Sequence, residues 1–290
     1  MNEEPHLRLA GVTRLSVKGM RRTAVARELT TNPGAGATAD RREPFEIDAF
    51  GEPTTNPAAG ATADHREPFE IDAFVFDPHR LALPSWAVGL EDRPAATLLT
   101  LDRHFDLVAP TVRAPRREEG LRALDEYARW SLDVRNYDHV LAAMEAGLIA
   151  DAVVVARFVP RGAMREGDWT DGRGVLHRII AAESLASLPS SAIGLLKASS
   201  EIILDVDLDC FTTPLVEDPT SVAPWSREEI RRAVLETAPW PEVWNVVLPK
   251  TRVFTFAREP FHCGGLVAGG RLFEDAATVF FEELFGADAP

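Results

Sequence analysis

Two apolar runs in this chain each end in a ladder of acids, and that pattern limits the folds open to it. Leu98-Leu99-Thr100-Leu101 leads into Asp102-Arg103-His104-Phe105-Asp106, and Ile202-Ile203-Leu204 leads into Asp205-Val206-Asp207-Leu208-Asp209. Side chains alternate between faces in an extended chain. Asp102, His104 and Asp106 therefore share one face, as do Asp205, Asp207 and Asp209. Runs this rich in Leu and Ile, without polar alternation, are expected of strands buried on both faces of a parallel sheet. Five carboxylates and an imidazole at the ends of such strands would repel, and the acids would be driven to protonate. A multivalent cation removes that conflict. Hard oxygen donors with imidazole suit Mn²⁺, and Zn²⁺ or Fe²⁺ less well. A third apolar run, Phe74-Val75-Phe76, is followed by Asp77-Pro78-His79. Beside the two ladders, His79 is the natural nitrogen ligand for a first metal.

From about residue 68 onward, apolar runs alternate with helix-like stretches. The expected strands are Ile71–Phe76, Thr97–Leu101, Ala152–Phe158, Ile202–Val206, Val243–Leu248 and Val253–Phe256. The expected helices are Arg117–Leu132, Tyr137–Ala146 behind Asn136 as N-cap, Leu176–Leu188, Arg227–Thr237 and Leu272–Phe285. Ser226 and Glu229 have the spacing of a capping box. Such alternation predicts an α/β fold of three αβα layers around a mainly parallel sheet, with function at the carboxyl ends of the strands.

Ahead of this lies a duplication. Thr30–Phe50 (TTNPGAGATADRREPFEIDAF) recurs 24 residues later as Thr54–Phe74, changed only at Gly34/Ala58 and Arg41/His65. Two Pro-, Gly- and Ala-rich copies offer little to pack, so residues 1–67 are expected to form a mobile extension before a catalytic domain over 68–290. A net charge of −14 argues against a nucleic-acid backbone binder. No run approaches the ~18 apolar residues of a membrane span, and no apolar stretch follows the basic N-terminal residues as in a secretory signal. The cytoplasm is the expected compartment, with neither nucleic acid nor membrane as partner; a homo-oligomer is left open. Cys210 and Cys263 stand too far apart for a Cys-x-x-Cys pair, which speaks against a disulfide scaffold.

These motifs resemble the ureohydrolase superfamily of arginases and agmatinases. Its members carry a His after the first core strand, an Asp-x-His-x-Asp, and an Asp-x-Asp followed by a further acid. The closer resemblance is to the peptide arginases, which convert arginine to ornithine within ribosomally made peptides, through FVFDPHRLALPSWA, ATLLTLDRHFDLVAP, VRNYDHVLAAMEAGLI, ILDVDLDCFTTP and FTFAREPFHCGG. The resemblance implies an arginase-like fold holding two Mn²⁺ ions. One would sit on His79, Asp102, Asp106 and Asp205. The other would sit on His104, Asp102, Asp205 and Asp207, with Asp102 and Asp205 bridging over about 3.5–4 Å. The family's proline after the last acid is absent, since Asp209 is followed by Cys210-Phe211; Asp209 is therefore not in the expected set.

The expected activity is hydrolysis of a guanidinium to an amine and urea, as part of peptide maturation. Two cations would acidify a water, Asp106 would aim it, and His139 would carry the proton to the leaving amine. Glu259, just past the run Val253–Phe256, would clamp the substrate cation in a bidentate pair. Free arginine would leave its α-carboxylate and amine unpaired against Leu107-Val108-Ala109-Pro110, at a cost in free energy. An arginine within a peptide has neutral amides there, so an arginine-containing precursor peptide is the expected partner. The alternatives are an amidinohydrolase of arginine, agmatine or another small guanidino compound, and a metal-containing module that binds arginine peptides without cleaving them.

Overall fold

A computed structural model describes residues 9–22, 66–160, 163, 165–218, 221–236 and 242–286. Its strands are β1 (Val12–Arg22), β2 (Arg66–Phe76), β3 (Ala96–Asp102), β4 (Ile149–Ala156), β5 (Glu166–Thr170), β6 (Leu176–Ala182), β7 (Ile202–Asp207), β8 (Thr212–Pro214), β9 (Val222–Pro224) and β10 (Thr251–Ala257). The helices are α1 (Ala82–Gly89), α2 (Leu121–Trp130), α3 (His139–Ala146), α4 (Ser190–Ala198), α5 (Arg227–Arg231), α6 (Glu242–Val247) and α7 (Leu266–Ala277). Eight strands form one sheet in the order β1-β2-β10-β7-β3-β4-β6-β5. The six inner strands run parallel, and β1 and β5 lie antiparallel at the edges.

Both faces of the central strands β3 and β7 are dry, as their unpunctuated apolar runs require. Alternate residues of one strand feed opposite cores: Leu98 and Ile203 pack with α1, α2 and α3, whereas Leu99, Ile202 and Leu204 pack with α4, α6 and α7. The result is three layers, helix–sheet–helix. From β3 the chain builds outward through β4 and β6, then crosses back to lay β7 on the other side of β3. The carboxyl ends of β3 and β7 thus flank the point where the winding reverses. Open parallel sheets form their binding crevice at such a point, and both acid ladders end there.

Four expectations need correction. Val243–Leu248 is not a strand: Glu242–Val247 is helical and buries Val243, Trp244 and Val247 on one stripe. Leu176–Leu188 is not a helix: Leu176–Ala182 pairs with β4 and β5, and its first residues alternate exposed and buried. Asn136 does not cap the following helix; Asp138 precedes α3, and Asn136 adopts φ +63°. Val12–Arg22, within the expected mobile extension, pairs with β2 along eleven residue positions, so this stretch belongs to the sheet. The first copy of the duplication and the start of the second lie outside the described residues. The Ser226–Glu229 capping box is present, with Ser226 N–H donating to Glu229 Oε2 at 2.7 Å. Among the described residues no helix is long and apolar enough to cross a membrane.

Candidate metal centre

Local chain geometry delivers each side chain to the crevice. β2 ends at Phe76, and a 3-10 turn over His79–Leu81 turns the His79 ring inward, fully buried. Asp102 is the last residue of β3, and its Oδ1 accepts the His104 N–H at 2.7 Å. Asp207, the last residue of β7, repeats the device by accepting the Asp209 N–H on Oδ1 at 3.1 Å. Such side-chain-to-backbone turns fix a loop where the ladder stops. In both cases Oδ2 is left facing the crevice: His79 Nδ1 lies 3.7 Å from Asp102 Oδ2 and 3.2 Å from Asp207 Oδ2. Asp106 Oδ2 lies 3.9 Å from the same nitrogen.

Asp205 has a different setting from the one expected. It sits one step deeper on β7, in register with Thr100 on β3 and Thr255 on β10. Both hydroxyls donate to it, Thr100 to Oδ2 at 2.7 Å and Thr255 to Oδ1 at 2.5 Å. Trp86 Nε1 in turn donates to Thr255 Oγ1 at 3.1 Å. The remaining contact of Asp205 is His79 Nε2 at 2.8 Å. Two residues along a strand are about 6.6 Å apart, so sharing a face with Asp207 does not bring Asp205 into the cluster. It holds the far nitrogen of His79, in the way a carboxylate behind a metal-binding imidazole fixes its tautomer.

Asp209, left out of the expected ligand set, lies with the other acids of the cluster. It is fully buried, its Oδ1 accepts the Arg103 N–H at 3.3 Å, and its Oδ2 lies 3.0 Å from His104 Nδ1. Ligand atoms of His79, Asp102 and Asp207 approach within 4.8 Å of one another, as do those of His104, Asp209 and His262 and those of Asp207, Asp209 and Glu259. The donors fall into an inner group around His79 and an outer group around His104, whose side chain is 43% exposed.

Glu259 lies at the crevice in a backbone conformation rare for a residue with a side chain, φ +36°. Its N–H donates to Asp77 O at 3.1 Å. Its Oε1 accepts the His79 N–H at 3.0 Å and a short bond from Asn136 Nδ2. One oxygen is therefore engaged with His79 and Asn136, and the other lies 3.8 Å from His262 Nε2. His139 is brought beside the inner group, its ring centroid 4.1 Å from that of His79. It is fully buried, with Nδ1 donating to Asn136 O at 2.7 Å. Burial, then the charge of His79, push its imidazole down to about 3. The ring, expected to carry a proton, is thus buried and neutral, and it lies with His79 and Asp106. Asn136, which the sequence marked only as a cap, ties Glu259, His139 and Arg80 together.

The electrostatics test whether cations fit. Burial, then repulsion from neighbouring carboxylates, lift Asp102 and Asp207 well above the carboxylate range. Burial lifts Asp106 to about 7 against the pull of His79 and His104. Burial would raise Asp205 and Asp209 too, but His79 holds the first, and His104 and Arg103 the second, below the ordinary value. Three buried atoms of this cluster, His79 Nδ1, His139 Nε2 and Asp209 Oδ2, make no well-aligned hydrogen bond among the described residues, although Asp207 Oδ2 lies 3.2 Å from the first and His104 Nδ1 lies 3.0 Å from the last. Buried polar atoms are rarely left so. Against the effect of burial, Asp205 and Asp207 raise His79 well above its ordinary value, so acids and imidazole alike hold protons here; once those protons leave, the same groups are the donor set of oxygen-preferring divalent cations. No protein-family model matches the chain, and no curated protein matches it.

Proposed function

We propose that the chain is an arginase-like dinuclear amidinohydrolase that converts an arginine side chain within a peptide to ornithine, releasing urea. The observation that carries this reading is the convergence of His79, Asp102, Asp106, His104, Asp207 and Asp209, from three separate strand ends, into one largely buried cluster. His79, Asp102, Asp106 and Asp207 would hold an inner cation; His104, Asp102, Asp207 and Asp209 would hold an outer one. This is the expected set with its second acid pair moved two residues along, from Asp205/Asp207 to Asp207/Asp209. When bound, a pair of Mn²⁺ ions supplies Lewis acidity that brings a water's pKa down toward neutrality.

The chain's own groups supply the rest. Asp106, at the crevice but least confined of the inner acids, accepts the proton of the attacking water and returns it to the leaving amine, which removes the need for His139. Glu259 Oε2 takes an N–H of the substrate guanidinium, while its Oε1 stays with His79 and Asn136. Asp205, Thr100 and Thr255 keep the His79 ring in one orientation.

Two features support a peptide over free arginine. The segment after Asp106 offers no free donor at Leu107 and Val108, whose N–H groups already bond Phe105 O and Tyr137 O. The loops leaving β3, β4, β7 and β10 also expose large apolar side chains, including Val108, Phe158, Val216 and, at 96%, Phe261. Apolar surface around an acidic floor fits an arginine carried on a chain with flanking residues. The test compares urea release from an arginine-containing peptide, free arginine and agmatine by the Mn²⁺-loaded protein. Release from the peptide alone is expected; release from the small compounds alone would overturn the peptide assignment, and none from any would overturn the activity.

A further inference from the structure

The outer group contains a donor that the dinuclear set does not use. His262 stands on the turn that follows Glu259, and the geometry of that turn is fixed. His262 N–H bonds Glu259 O at 2.8 Å, Gly265 N–H bonds Pro260 O at 2.7 Å, and the buried Cys263 thiol bonds Arg258 O at 3.3 Å. Gly264 and Gly265, at φ +82° and +93°, make a turn that other residues would strain. The imidazole so presented meets the His104 ring edge to face, with centroids 5.8 Å apart. Its Nε2 is 3.8 Å from Glu259 Oε2, beyond hydrogen-bond reach. Its side chain is 47% exposed, yet one of its ring nitrogens lies within 4.8 Å of ligand atoms of both His104 and Asp209.

Resting on the two-cation reading above, we propose that His262 is a ligand of the outer cation together with His104 and Asp209. The two positions then differ in chemistry. The inner one is fully buried, with His79 among carboxylates and the His139 ring beside it; the outer one has two imidazoles on partly exposed side chains and opens to solvent. Imidazole suits Co²⁺, Ni²⁺ and Zn²⁺ better than Mn²⁺, so the outer position should take up Co²⁺ readily and exchange it faster than the inner one.

The test titrates the chelator-stripped full chain with Co²⁺ alone, followed by visible absorption and by metal analysis after gel filtration. The unaltered chain should bind two equivalents. His262→Ala, and the more conservative His262→Gln, should weaken one equivalent by at least about tenfold, the lower end of what loss of even an outer-shell partner does, and change its absorption band. His79→Ala should weaken the other equivalent and leave that band in place. If both His262 variants titrate within twofold of the unaltered chain, the proposal is overturned. A chain that binds no cobalt at all overturns the metal centre itself, and His262 with it.

Discussion

Replacing Asp106 with asparagine in the metal-free protein should raise its stability, and should do so more at pH 7 than at pH 5. Burial lifts this carboxyl from its ordinary 3.8 to about 7, and the residue is only 8% exposed, so solvent does little to screen it. Between those two values the folded chain keeps a proton that the unfolded chain has released. Folding stability from this group is whole below 3.8 and is lost as the pH rises through about 7. The loss runs at ~1.36 kcal/mol per pH unit, or about 4 kcal/mol over the whole interval. The amide has no proton to lose. The stability difference, variant minus wild type, should therefore grow by about 2.3 kcal/mol between pH 5 and pH 7. At ~2–4 °C per kcal/mol, that is roughly 5–9 °C in midpoint. Urea unfolding of chelator-treated protein at both pH values measures the difference directly, and pH effects common to both proteins cancel. Adding Mn²⁺ should reverse the order, since an ion that binds only the folded state stabilises it by mass action and a neutral amide is a poorer metal ligand than the carboxylate it replaces. A difference that stays flat from pH 5 to pH 7, or falls, would refute the picture of acids crowded into one buried crevice.

Asp209→Ala should lose one metal equivalent, whereas Asp205→Asn should keep both ions and weaken the inner one by about 10–100-fold, as removal of a partner behind a ligand does; metal analysis after dialysis separates these outcomes. Glu259→Gln should retain both metals while urea release falls, with a rise in KM marking loss of the substrate contact. Gly89→Ala, which helix propensity alone would favour, should cost about 1–3 kcal/mol, because a Cβ there overlaps the Val253 side chain on β10; thermal unfolding reads the sign.

The strand ends were legible in the sequence because burial on both faces leaves few polar residues in a strand. A polar residue that ends such a run must have a use. That rule pointed to His79, Asp102, Asp106, Asp207 and Glu259, which the structure brings together, and applied one turn further it would have pointed to His262, three residues past Glu259. Depth was not legible. Period two places Asp205 and Asp207 on one face, but only the neighbouring strands reveal that Thr100 and Thr255 stand level with Asp205 and claim its oxygens. The same limit explains Val243–Leu248, whose β-branched residues read as a strand until the contacts of Val243, Trp244 and Val247 place them on one helical stripe. His139 follows the same logic: its position at the head of an apolar run is visible in the chain, while its burial against His79 and Trp86 arises only from packing.

The central claim is tested most directly by mass spectrometry of an arginine-containing peptide incubated with protein shown beforehand to carry two Mn²⁺ ions per chain. The account predicts that the peptide loses CH₂N₂ at an arginine and that an equal amount of urea appears, with neither change in the Asp102→Asn variant. A peptide returned unaltered by the fully loaded protein would contradict it.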